Sequence, residues 1–332
     1  MKHSILKDQI NLKQTSSHTY TISFHKDWTI GRVLHGGCVA AALHHAAATH
    51  IATEPKLAAK NQPDILTLHL EFLRPCDARE STIAIRDLKV GERTSTLQLE
   101  LWQGEKMKVV ALATSINMDR SNGPTHPTAW ALHPPPKPVP DFAAVLAHRP
   151  DEHWLPAHFA GDVIPFTRRM LVLDPRDGFP VDGICDAWAT FLGDERMDAT
   201  YLALMTDYIP SMSDTLLRNG GFYDARANFA KVDEWAMEHP GVPAELTNFL
   251  KDAAKLTIFN NTVTLDIEFK RRLPEEGLQW VFTRLASRMM EDGRLDAEVT
   301  LCDEKMDLVC VARQVILVLD AKRKFGEAKS SL

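Results

Sequence analysis

Apolar and polar residues alternate along Leu66–Leu73, Thr82–Lys89, Thr94–Gln103 and Met107–Met118, a period of two that predicts four consecutive half-buried strands. Gln103-Gly104 reads as the turn of the last hairpin. Upstream, Thr19–Phe24 alternates like a short strand, and Gly36-Gly37 opens an alanine-rich apolar segment that predicts a helix to about Ile51. The same order returns further on. Arg168–Leu173 and Cys185–Phe191 are strand-like, and a helix is expected from an Asp198 cap to Asp207, with Pro210 just beyond. Strands follow at Val263–Lys270, Trp280–Met289, Leu295–Cys302 and Asp307–Leu319, with Glu291-Asp292-Gly293 as a turn.

The recurrence extends to residue identities. Thr67-Leu68-His69-Leu70-Glu71-Phe72 matches Thr264-Leu265-Asp266-Ile267-Glu268-Phe269 at four of six positions, an offset of 197. Glu105-Lys106-Met107 recurs as Glu304-Lys305-Met306 at an offset of 199. Two matches at nearly one spacing mark a tandem duplication. A long helix followed by antiparallel strands, twice over, predicts an α+β fold: a tandem double hotdog, each half a long helix wrapped by an antiparallel sheet. Ala40, Ala41, Ala42, Ala46, Ala47 and Ala48 suit it, because a sheet closes around a helix only when the helix surface is small and apolar. The chain divides into an N-terminal hotdog at 1–118, a proline-rich linker at 119–160 and a C-terminal hotdog at 161–325 with a helical insertion at about 217–259. Within that insertion, Ala225–Met237 and Ala244–Leu256 read as helices that could cover a pocket.

Composition narrows the function classes. Of 332 residues, 45% are hydrophobic and 25% charged, and the formal net charge is −6, with no block of Lys and Arg; this argues against a nucleic-acid partner. No apolar run reaches the roughly 18 residues needed to span a bilayer, and Met1–Gln14 has neither the charge order nor the apolar stretch of a signal peptide, so no membrane partner and a cytoplasmic location are expected. Ser330-Ser331-Leu332 loosely matches the S-K-L peroxisomal address but lacks its basic residue. The five cysteines (Cys38, Cys76, Cys185, Cys302, Cys310) lie in apolar stretches without CxxC spacing and are expected as buried free thiols. His44, His45 and His50 lack carboxylates at useful spacing, so no metal and no cofactor are expected.

Gly31-Arg32-Val33-Leu34-His35-Gly36-Gly37 followed by an apolar helix resembles the His-Gly-Gly signature of hotdog thioesterases. The second half resembles the C-terminal half of type II acyl-CoA thioesterases, and the whole chain resembles the double-hotdog thioesterase-like proteins of filamentous fungi. The resemblance spans roughly 17–118 and 160–320. It implies hydrolysis of an acyl thioester, with acyl-CoA or an acyl-carrier as substrate partner. The family's water-holding aspartate, threonine and glutamine carry over to Asp207 at the end of its helix, Thr264 leading a Thr-hydrophobic-Asp motif, and Gln314 on the last strand. His35, Gly36 and Gly37 carry over as oxyanion and substrate-positioning residues. Nine residues after His35 stands His44 rather than a carboxylate, and nine before Asp207 stands Asp198 without a glycine pair, so each half holds what the other lacks and one complete site per chain is expected. A non-hydrolytic acyl- or polyketide-binding protein, or a hotdog lyase or cyclase, is the alternative. Lys270-Arg271-Arg272 could meet a coenzyme A phosphate, Trp28, Trp188 and Phe191 could wall an acyl pocket, and outer sheet faces could pair two copies.

Overall fold

A computed structural model describes residues 4–31, 33–208, 210–220, 223–249 and 256–321. The N-terminal half contains α1 (Ile5–Ile10), β1 (Lys13–Ser16), β2 (Thr19–Ile22), α2 (Gly36–Thr53), β3 (Asp64–Phe72), β4 (Ser81–Val90), β5 (Ser95–Gln103) and β6 (Lys106–Ile116). The C-terminal half contains β7 (Trp154–Gly161), β8 (Met170–Pro175), β9 (Ile184–Phe191), α3 (Ala199–Met205), α4 (Met212–Leu217), α5 (Ala225–Glu238), β10 (Ala244–Asn248), β11 (Ile258–Phe269), β12 (Trp280–Ala286), β13 (Arg294–Cys302) and β14 (Leu308–Asp320). These strands form one continuous sheet in the order β1-β2-β4-β5-β6-β3-β11-β14-β13-β12-β9-β8-β7-β10, antiparallel throughout except for β7 with β10.

The halves fuse where β3 pairs with β11. His69 stands opposite Asp266, the position that matches it in the sequence repeat, so the pseudo-twofold axis passes between them. Their side chains pair at 2.5 Å on the exposed side of the sheet. Each half is a hotdog, with a helix held in the curve of its sheet. Helix α2 is buried on almost every side, which its run of alanines permits, and α3 packs beside it in the opposite direction: Gly37 lies near Leu204, and His44 Nδ1 lies 3.1 Å from Thr200 Oγ1. All five cysteines are buried free thiols, as their apolar settings predict.

The connection between the halves lies along the outer face of the C-terminal sheet. Phe142, in a one-turn helix, stacks on Trp280 with ring centroids 4.8 Å apart and meets Trp188 edge-on at 5.0 Å. Trp154 Nε1 donates to the Pro138 carbonyl at 2.6 Å. Beneath this strap, Arg284 makes a two-pronged ion pair with Asp186, both bonds 2.7 Å, and donates to the Pro134 carbonyl at 2.6 Å.

Three elements differ from the sequence expectation. Trp154–Gly161, all but its last residue in the expected linker, is strand β7; its first four residues are buried, so no alternation betrays it, and Pro156 argues locally against a strand. Helix α5 appears where expected, but Ala244–Asn248 adds to the sheet edge beside β7 instead of forming a helix, while residues 250–255 lie outside the described residues. Residues 165–169 form a 3-10 turn, so the strand expected from Arg168 begins at Met170.

Removing one partner of a buried ion pair strands the other. Arg284→Ala should therefore cost roughly 3–5 kcal/mol in urea unfolding and expose the 119–153 connection to protease. Wild-type stability and protection in that variant would show that the strap does not hold the sheet.

Candidate functional site

The site is built on the N-terminus of α2. His35 is its N-cap: an extended backbone (φ −61°, ψ 136°) turns the chain into the helix, and Nδ1 accepts the Gly37 N–H at 3.2 Å. The ring is buried edge-on against Phe166. Burial lowers its pKa, opposed by the Asp207 charge, so the imidazole is held neutral with its Nδ1 lone pair on the helix amide. Gly36 and Gly37 allow a close approach that no other residue would. A Cβ on Gly37 would lie 2.5 Å from the Leu204 carbonyl oxygen, and one on Gly36 would lie 2.7 Å from Asp207 Oδ2.

The opposing wall comes from the C-terminal half. Asp198 caps α3 through the amides of Thr200 and Tyr201, the helix ends at Met205, and Asp207 follows the C-cap Thr206. The Asp207 carboxylate meets α2 head-on: Gly37 N–H donates to Oδ2 at 2.8 Å, and His35 Nδ1 is 3.6 Å from the same oxygen. A carboxylate suits a helix N-terminus, where unpaired amides and the positive end of the helix dipole point outward. The Asp207 side chain retains 17% exposure. Among the described residues, no acceptor lies on the half-buried Gly36 N–H.

Gln314 is 2% exposed and anchored on both ends of its amide. Nε2 donates to the Thr206 carbonyl at 2.9 Å, one residue from Asp207, and Oε1 accepts from Thr262 Oγ1 at 3.3 Å. Thr264 is elsewhere. A bulge between Thr262 and Thr264 shifts the register of β11; Thr264 pairs with Val315, which is 50% exposed, while Gln314 pairs with buried Leu265. The pleat therefore sends Thr264 to the outer face with Asp266 and Glu268, and Thr262 takes the place beside Gln314 that the sequence motif assigned to Thr264.

A cavity of about 120 Å³ runs along the concave face of the C-terminal sheet, with Tyr208 and Pro210, which follow Asp207 in the chain, in its lining. It exists because α3 has seven residues where α2 has eighteen. The face that a longer helix would cover is roofed instead by the insertion, with Tyr223, Ala225 and Asn228 above and Val172, Ala187, Ala189 and Leu285 below. Trp28, Trp188 and Phe191 are not among its walls: Trp28 stacks on Phe166, Trp188 lies under the strap, and Phe191 packs on Tyr201.

Residues 24–118 match the acyl-CoA thioesterase N-terminal domain, and residues 137–318 match the acyl-CoA thioesterase C-terminal domain. The chain belongs to the acyl-CoA thioesterase family. It is 28% identical to the thioesterase-like protein TwmA of Talaromyces wortmannii, over 99% of this chain and 97% of that one. An acyl-CoA thioesterase II from Mycobacterium marinum, TesB2, superposes with a TM-score of 0.59 at 17% identity, covering 96% of this chain and 99% of that one. A hot dog fold protein from Alicyclobacillus acidocaldarius superposes with a TM-score of 0.65 at 16% identity, covering 96% and 98%. At these identities the superpositions bear on the fold alone.

In this thioesterase-family chain, the duplicated helix contact has diverged. The place related to Gly37–Asp207 by the pseudo-twofold holds Thr200 and His44. His44 is buried, which lowers its pKa to about 4, and among the described residues its Nε2 has no hydrogen-bond partner. Helix α1 covers that end: Ile5 N–H donates to Glu195, Leu6 N–H to the Tyr201 hydroxyl, and Lys7 pairs with Asp198. His18, His50 and Asp87 form the one potential metal-ligand group among the described residues. There His50 is already bonded through Nε2 to Asp87 and through Nδ1 to Tyr20, both at 3.1 Å. The basic run is likewise engaged: Lys270 pairs with Glu268, Arg271 with Asp307, and Arg272 with Asp64 and Asp119. No helix among the described residues is long and apolar enough to cross a membrane.

Two outcomes follow from this geometry. Gly37→Ala should cost about 1–3 kcal/mol of stability by wedging α2 from α3; chemical denaturation at unchanged m-value checks it. Burial pushes the Asp174 carboxyl, on the cavity wall, up to about 7. A carboxyl raised from about 4 in the unfolded chain binds its proton more tightly when folded, so its cost is absent below about pH 4 and complete above about pH 7. Asp174→Asn should accordingly raise Tm relative to the parent above pH 7, with the gain fading toward pH 4. The neighbouring Cys185 thiol and Tyr208 hydroxyl, both raised by burial, stay neutral throughout that range. A pH-independent difference in Tm would contradict this assignment.

Proposed function

We propose that this chain hydrolyses an acyl thioester, of coenzyme A or of a carrier protein, at the junction of α2 and α3. The observation that carries the reading is the 2.8 Å contact between an amide of the first half and the only carboxylate the second half brings to that helix end among the described residues. Neither half holds both groups.

Asp207 orients the attacking water and takes its proton as the oxygen adds to the thioester carbonyl. Gln314 and Thr262 flank the same space. The Gln314 carboxamide keeps a second N–H beyond the one bound to Thr206, and the Thr262 hydroxyl oxygen keeps lone pairs free to accept, so the two complete the water's hydrogen-bond set. Thr262 replaces Thr264 in this assignment because Thr264 lies across the sheet. The oxyanion that forms sits at the α2 N-terminus, on the Gly36 amide and on the Gly37 amide as Asp207 yields it. Collapse of the tetrahedral adduct breaks the C–S bond, and the thiolate leaves with the proton that Asp207 carried. His35 holds the helix amides in position and stays out of proton transfer, since its Nδ1 already accepts from the backbone.

The acyl chain runs from this point into the cavity lined by Tyr208. Asp207→Asn should lower kcat for thiol release from a panel of acyl-CoAs by about 10²–10⁴ with the fold intact by circular dichroism. Thr262→Val should lower it by a smaller factor, and Thr264→Val should leave it unchanged. An Asn variant as fast as the parent, or mass spectra showing intact or isomerised ligand in place of free acid and thiol, would overturn the reading.

A further inference from the structure

The cavity has more polar character than an alkyl chain needs. Asp174 on β8 is 9% exposed and lines it, and burial raises its carboxyl pKa. Thr283 on β12 is 6% exposed and lines the same cavity, and among the described residues its buried hydroxyl oxygen has no hydrogen-bond partner. A buried hydroxyl left unpaired costs free energy, as does a carboxylate withdrawn from water, and here both line one space.

Their placement is ordered by the sheet. Leu173 of β8 and Trp188 of β9 form the last pair of their ladder, and Asp174 follows it on the side of Ala187; Ala187 in turn pairs with Thr283. Asp174 and Thr283 thus stand on one row across three adjacent strands, about 9–10 Å apart at the backbone. The residue between them is an alanine, whose small side chain leaves the gap open. Tyr208, beside Asp207 in sequence, adds a further hydroxyl to the lining. Thr167, Asp186, Tyr223 and Asn228 also contribute to the lining, and the remaining wall is mainly apolar, with Phe159, Val172 and Leu285.

We propose that this row recognises a hydroxyl group on the acyl chain: the ligand hydroxyl donates to the Asp174 carboxyl and accepts from the Thr283 hydroxyl, making the protein selective for hydroxylated acyl groups over plain alkyl ones. The inference rests on the hydrolytic reading for the position of the thioester, but the recognition itself is a binding property. A single ligand oxygen satisfies both protein groups. Because burial brings the Asp174 carboxyl to about 7, the site serves in either protonation state; the protonated carboxyl still accepts through its carbonyl oxygen.

The test separates the two readings. Binding of decanoic acid and each of its monohydroxy positional isomers is measured by calorimetry on the whole chain and on Thr283→Val and Asp174→Leu variants, and thiol release is measured from the matching acyl-CoAs. At least one hydroxy isomer should bind about tenfold or more tightly than decanoic acid to the parent, and Thr283→Val, which keeps shape and loses only hydrogen bonding, should abolish that preference. Thr283→Ser should restore it. If binding shows the preference while no acyl-CoA is hydrolysed, the hydrolytic reading fails and the recognition site stands. If no isomer is preferred, or if Thr283→Val keeps the preference, the recognition site is wrong whatever the hydrolysis data show. An Asp174→Leu variant that fails to fold leaves the Thr283 series to decide.

Discussion

The first amides of a helix have no partner within the helix and carry the positive end of its dipole, so something must face them. In this protein, what faces the α2 amides is Asp207, supplied by a second copy of the same fold. At Gly37 the two backbones come closer than a side chain permits, since the Leu204 carbonyl takes the space a Cβ would need, and at Gly36 that space is taken by the Asp207 carboxylate itself. Everything about the site follows from that approach. The helix axes lie side by side, the carboxylate sits at the helix tip, and Gln314 ties the Thr206 carbonyl to the sheet so that the residue next to it stays in place.

The shared sheet makes the approach reproducible. Pairing of β3 with β11 places His69 across from Asp266, equivalent positions of the repeat, and a slip by one residue would turn the buried faces of both strands outward. A single rigid sheet therefore fixes how the helices meet. With the frame set, the two ends of the helix pair were free to diverge. One keeps the glycines and the carboxylate; the other holds Thr200 and His44 under helix α1. The short α3 has a further consequence, because the concave face it leaves bare is roofed by the insertion and becomes a cavity lined by Tyr208, the residue after the carboxylate.

Most of the secondary structure was legible because it rests on local periodicity. The half-buried strands β3 and β5 alternate, the α2 segment is apolar on every side, and the repeated Thr-Leu and Glu-Phe pairs expose the duplication. Strand β7 was hidden because its opening residues are buried on both faces, and Ala244–Asn248 because its strand character comes from an edge that β7 offers. Lys270, Arg271 and Arg272, a basic run in the sequence, are each matched by an acidic partner brought from elsewhere in the chain or the same strand.

By itself, the sequence determined the tandem hotdog, the two helix starts, and the separation of the glycine pair from the carboxylate into different halves, since each is written in residue type and spacing. Only the tertiary structure decided that Gly37 meets Asp207, that Thr262 and not Thr264 stands beside Gln314, and that Asp174 and Thr283 share one cavity. A bulge inverts every residue that follows it with no local mark, and strand register and helix packing are set by surfaces hundreds of residues apart in the chain. Periodicity shows which face of an element is buried; what that face meets is a property of the whole fold.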